Sequence, residues 1–198
     1  MNLIFRPMPI ALAFALTACA STPIHYHTML PPVTHEAVAQ PPVAFLIDVL
    51  PVGIPAQLDQ SQLVVRQGES GMAVLDGERW ASPLGDEVRG ALSSELTVLL
   101  NTQDVAGLPI QSDQPVVRVK VQIRRFDIWP GQRVQIAADW ELTFANGNGT
   151  GSARVVRMGH VDEPVSGGYQ DATIACQRAA MDLATRIASD TRTLALSR

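Results

Sequence analysis

Few cysteines, one lysine and little aromatic content set the first limits on this chain. Among 198 residues there are two cysteines, Cys19 and Cys176, too few for a disulfide framework if either is otherwise engaged. Lys120 is the single lysine among 15 basic residues, against 19 acidic ones, and the formal net charge of −4 shows no basic stripe of the kind nucleic-acid binders carry. Beyond the first residues no apolar run approaches about 18 residues, so no later segment is expected to span a bilayer as a helix. No Gly-x-Ser-x-Gly elbow and no His-Glu-x-x-His helix occurs. Gly167-Gly168 is not followed by the Lys-Ser/Thr of a phosphate loop. These absences favour binding or scaffolding over catalysis.

What is present begins at the amino end. A start carrying one cation, Arg6, leads into the apolar run Ala11 to Ala18, closed by small residues and Cys19. That is the pattern of a secretory signal peptide, and the run is too short for a membrane-spanning helix. Leu16-Thr17-Ala18-Cys19 resembles the bacterial lipobox, in which the chain is cut before the cysteine and the cysteine becomes acylated. The resemblance implies residues 1–18 as a removed signal, 19–23 as a lipidated tether and 24–198 as one domain, with a covalent acyl lipid on Cys19 and no other cofactor. One acyl chain binds membranes marginally, whereas two or more anchor stably. Ala20 is not the aspartate that retains many such lipoproteins at the inner membrane, which points to the outer membrane. Removing the signal with Arg6 leaves 180 residues carrying −5, enough for a single core.

Periodicity then places the elements. Ile24 to Leu30 reads as a short strand, Pro31 to Pro42 as an irregular connection, and Val43 to Leu50 as a stronger strand closed by Pro51. After the turn region Pro51 to Asp59, Gln62 to Arg66 and Gly71 to Leu75 read as pairing strands. Ser82 is the expected cap of a helix with Pro83 at its first position and Asp86 and Glu87 as first-turn charges. Leu84, Val88, Leu92, Leu96 and Leu99 give it one apolar face up to Leu100, with Asn101 as its end.

A meander follows. Val117 to Ile123 alternate with polar residues until the adjacent Arg124 and Arg125 shift the apolar set to Phe126 and Ile128, the mark of a β-bulge. Val134 to Phe144 alternate cleanly, and Asn146 to Gly149 is a hairpin signal. Ser152 to Met158 returns as a third strand, with adjacent Val155 and Val156 suggesting a second bulge. A last helix is expected over Asp171 to Leu194, with Cys176, Ala180, Leu183, Ile187 and Leu194 on one face. Together these predict an α+β fold: a single two-layer sandwich of mostly antiparallel sheet on two helices.

Candidate chemistry is thin. Cys176 lies on an apolar helix stripe, where a free thiol is usually a small buried hydrophobe. His25 and His27 share a strand face, but a metal site usually needs three or four ligands. His35 and His160 stand apart from them. Asp139 and Glu141 fit a solvated sheet face answered by Arg133 and cations of the neighbouring strands. No catalytic, cofactor-binding or metal-ligating residue is therefore assigned.

Several separated stretches resemble the ABC-type transport auxiliary lipoproteins, the PqiC-like family. They are Leu50 to Asp59, with the turn residues Leu58 and Asp59; Gln62 to Arg66; and Arg79-Trp80-Ala81-Ser82-Pro83-Leu84. Arg125-Phe126-Asp127, Ala138-Asp139-Trp140 and Gly168-Tyr169 before an Ala-rich helix continue the likeness along the mature chain. The resemblance implies a non-catalytic periplasmic accessory subunit, lipid-anchored at the outer membrane. Its implied partner is an inner-membrane MCE-domain transport system that moves lipids or other hydrophobic molecules. It leaves self-association open. It also makes Leu58, Asp59, Trp80, Pro83, Arg125, Trp140 and Tyr169 motif residues that either contact the partner or support the fold. Trp80 with Pro83 and Leu84 fits packing at the helix start, since an apolar residue before a cap can staple onto the first turns. A stand-alone lipid-binding lipoprotein and a periplasmic enzyme are the alternatives.

Overall fold

A computed structural model describes residues 23–32, 41–109, 114–145 and 152–196. Cys19, His35, most of the Pro31 to Pro42 connection and the Asn146 to Gly149 hairpin signal lie outside the described residues. The described residues form nine elements in order: β1 (His25–His27), β2 (Leu46–Val49), β3 (Gln62–Gln67), β4 (Gly71–Trp80), α1 (Leu84–Leu100), β5 (Val116–Trp129), β6 (Arg133–Ala145), β7 (Ser152–Pro164) and α2 (Tyr169–Leu196). The fold is α+β, but the strands form two sheets rather than one, ordered β1-β4-β3 and β2-β5-β6-β7. The meander β5-β6-β7 is antiparallel, whereas β1 on β4 and β2 on β5 are parallel.

The larger sheet has one wet and one dry face. Val117, Val119, Val121 and Ile123 of β5 and the even-numbered Val134 to Phe144 of β6 are buried. The register then slips between Ile123 and Arg125, so that Phe126 and Ile128 take over the buried face. This is the expected bulge, with Arg124 as its extra residue. The bulge expected at Val155-Val156 is absent: β6 and β7 pair without interruption from Ala145–Ser152 to Arg133–Pro164. Val156 is instead an exposed apolar residue on the outer face, as is Met158. Arg124 and Arg154 answer Asp139 and Glu141 across the strands, both at 2.7 Å. Arg133, expected in that role, stacks on Trp129 instead.

Both helices cover the dry face. α2 packs on β5, β6 and β7 and against α1, which also touches β2. The buried stripe of α2 is small-residue rich, with Ala172, Ala175, Cys176, Ala179, Ala180 and Ala184, and this lets its backbone lie close to both neighbours. Fully burying each larger side chain, such as Leu92, Leu96, Leu183 or Ile187, contributes about 1.5–3 kcal/mol.

Some boundaries move for local reasons. β1 and β2 are shorter than the apolar runs containing them. The Thr28 carbonyl and the Met29 N–H are taken by side chains, and the Val43 N–H by the Leu100 carbonyl, so none joins a ladder. Pro83, not Ser82, is the α1 cap residue, with φ −51° and ψ 143°, and no side chain caps the helix. The Pro83 carbonyl accepts the Asp86 and Glu87 N–H groups. Asn101 closes α1 in the left-handed region at φ 48°, as the sequence suggested.

Candidate functional site: the clasp on the amino-terminal segment

The polar groups that converge most tightly gather on the segment just after the expected lipid site. His25, Tyr26 and His27 pair in parallel register with Glu78, Arg79 and Trp80. His25 Nδ1 lies 3.0 Å from one Glu78 oxygen and His27 Nε2 lies 2.5 Å from the other. Partial burial pushes the Glu78 carboxyl up, but the hydrogen bonds from His27 and His25 outweigh that, and it titrates below the ordinary carboxylate value. The two imidazoles thus share one carboxylate. Among the described residues, no group of three or more His, Cys, Asp or Glu side chains is arranged to hold a metal ion.

Beyond His27 the chain is fixed by Glu87. This side chain is 5% exposed and accepts four hydrogen bonds. Thr28 Oγ1 and the Met29 N–H donate to Oε2 at 2.9 and 2.8 Å, and the Ser82 N–H and Oγ donate to Oε1 at 3.0 and 2.9 Å. Glu87 lies in the first turn of α1, as expected, and is in addition a buried hub joining the amino-terminal segment to the start of that helix. Gln177 on α2 donates to the Thr28 carbonyl at 2.9 Å, and the Met29 side chain is fully buried in the core. An acid at the helix start was legible; its partners, 58 and 59 residues away, were not.

The motif residues do not form one site. Leu58, Trp80 and Trp140 are buried, whereas Asp59 and Pro83 are exposed. Asp59 stands by the first turn of α1 near Gly85, and Trp80 meets Phe126 edge to face, with centroids 6.4 Å apart. Trp140 donates through Nε1 to Asp190 on α2 at 2.9 Å. Tyr169 packs on the core where α2 begins. The geometry brings Asp59, Trp80 and Pro83 together around the α1 start but leaves Trp140 and Tyr169 elsewhere.

Arg125 is 58% exposed, with its Nε 3.1 Å from Oδ2 of the buried Asp127. The alignment is too poor for a hydrogen bond, so that oxygen is compensated by charge alone. The other oxygen of Asp127 accepts from Arg66 Nε at 2.6 Å. Sequence reasoning missed this pair, because a lone Asp in a strand gives no sign that a guanidinium from another sheet covers it. Cys176 is fully buried, and burial drives its thiol far above the ordinary value, so it is not an activated nucleophile.

A comparison with curated proteins gives no match. A solved structure of an uncharacterized protein is similar to this chain at 21% identity and a TM-score of 0.64, over 85% of this chain and 98% of the other. A Xanthomonas campestris protein structure is similar at 20% identity and a TM-score of 0.61, over 86% and 94%. At such identities the likeness concerns the fold. The profile described as "ABC-type transport auxiliary lipoprotein component" matches residues 27–188. The chain belongs to that family of auxiliary lipoproteins.

Proposed function

We propose that this chain is a non-catalytic accessory subunit of an MCE-type transport system. Cys19 carries the acyl lipid, the domain stands at the periplasmic face of the outer membrane, and its task is to dock the transport assembly there. The observation that carries this reading is the clasp. β1 pairing, the Glu78 bridge, the Glu87 hub and the buried Met29 weld the residues following the lipid site to the body. A docking subunit needs such a joint, because a body swinging on a loose tether could not hold a partner in register. The test is cross-linking in intact cells, then purification through this chain. An MCE-domain protein is expected in the eluate, and its consistent absence would refute the partnership. Independently, Cys19→Ala is expected to abolish acylation and membrane partitioning, and unchanged partitioning would refute the anchor.

One observation favours a second reading, direct lipid binding by this chain alone. An apolar groove of about 350 Å³ lies at the end of α2, lined by Val43, Phe45, Phe144, Ala195 and Leu196 with Arg192 at its side. Native mass spectrometry of the purified protein discriminates: a lipid adduct lost in Phe144→Asp supports this reading, and a bare mass removes it.

A further inference from the structure

We infer that the end of the domain bearing the β3–β4 and β5–β6 turns faces the bilayer, and that Trp129 and Arg133 there contact phospholipid headgroup phosphate. This rests on the proposed anchor at Cys19. β1 runs parallel to β4, so Pro23 and Ile24, which precede His25, lie towards the end where β4 begins, at Gly71. Six residue steps lead from Cys19 to His25, a reach of about 20 Å at full extension. Glu78 back to Gly71 spans seven residues of strand, about 23 Å. At full extension so short a tether brings Cys19 to within about 3 Å of the level of the turns, on their side of His25. The other end of β4, at Trp80, lies only two residues beyond Glu78, but on the side of His25 away from that tether.

The turns bring together what an interface of this kind needs. Arg66, Gly68, Glu69, Trp129, Gln132 and Arg133 line an open hollow of about 490 Å³. Trp129 is half-buried, with the Arg133 guanidinium 4.7 Å from its ring centroid and that of Arg66 at 5.9 Å. Arg66 is held by Asp127, whereas Arg133 has no ion-pair partner among the described residues. An indole settles at the headgroup level of a bilayer, and a guanidinium makes strong charge-assisted bonds to phosphate. Glu69 and Asp127 offset part of the positive charge, so the contact is with individual phosphates rather than with net surface charge. Its salt dependence is correspondingly weak.

The experiment uses the full acylated protein in vesicles of phosphatidylethanolamine and phosphatidylglycerol containing brominated acyl chains. Trp80 and Trp140 are buried, which leaves Trp129 as the indole open to quenching. The expected result is fluorescence quenching that disappears in Trp129→Phe and weakens in Arg133→Glu and, less, in Arg133→Gln, with circular dichroism unchanged. An acylated protein whose quenching is the same with and without Trp129 overturns the orientation but leaves the anchor standing. Shielding of Trp129 from acrylamide by an MCE-domain protein, and not by vesicles, overturns it in favour of a protein contact. Mass spectrometry of the amino terminus is read in parallel: a bare Cys19 removes the anchor, and this inference with it.

Discussion

Replacing Glu87 separates two views of this acid. As a first-turn helix charge it would contribute roughly 0.3–1 kcal/mol. As a hub it contributes more, because Glu87→Ala leaves the buried Met29 N–H and the partly buried Ser82 N–H without their acceptor. Orphaning a buried donor costs about 1–3 kcal/mol, and the two hydroxyls can turn to water at little cost. Relief of carboxylate desolvation returns part of the loss, so the net expectation is about 3 kcal/mol. With a urea slope of about 2 kcal/mol per M, that is a midpoint roughly 1.5 M lower. Glu87→Gln retains one acceptor oxygen but points its amide group at the other pair of donors, and about 2 kcal/mol is expected. Asp86→Ala, an exposed neighbour in the same turn, is the control and should stay below about 1 kcal/mol. Hydrogen exchange at Thr28 and Met29 should accelerate in Glu87→Ala before the core opens. A Glu87→Ala loss no larger than that of Asp86→Ala would refute the hub.

Other expectations concern single contacts. The Glu78 carboxyl titrates below its unfolded value of 4.5, so its stabilisation is present above that pH and is lost as pH falls through the folded value. Exchange at β1 amides should rise across that acid window, and Glu78→Gln should flatten the dependence; no difference between the two proteins would remove the role given to the bridge. Gly159→Ala sets a methyl 2.9 Å from the Trp140 ring, which is held by Asp190, so a loss of about 1–3 kcal/mol is expected in a urea melt. Retained stability there would mean that the ring shifts freely. Cys176 should not react with a thiol reagent until the protein unfolds, since burial suppresses its thiolate; labelling under native conditions would contradict the packing described.

Legibility in the sequence followed the range of the forces involved. The bulge at Arg124 was readable because slipping one residue visibly inverts an alternating strand. Val155-Val156 gave the same signal falsely, since an exposed valine on an edge strand leaves the same trace as an extra residue. The α1 cap was misplaced by one position because Ser82, a good cap residue, spends its hydroxyl on Glu87 instead. The parallel pairings of β1 and β2 left no local mark, so two sheets were read as one. Although Asp59, Pro83 and Arg125 are exposed, other family-motif residues sit where the fold is most constrained: Trp80 and Leu84 at a helix start, and Trp140 beneath Gly159. Those positions support the architecture, whereas the clasp depends on ordinary residues whose meaning comes only from distant partners.

The direction of β1 has a mechanical consequence. A strand laid alongside its neighbour and drawn along its own length resists in shear, with every backbone bond of the pair loaded together. Had the segment run across the sheet edge, the same tug would have unzipped those bonds one at a time. With the proposed lipid on Cys19, strain arriving from that terminus would therefore pass into the α1 start through Glu87, and the joint would yield late and abruptly.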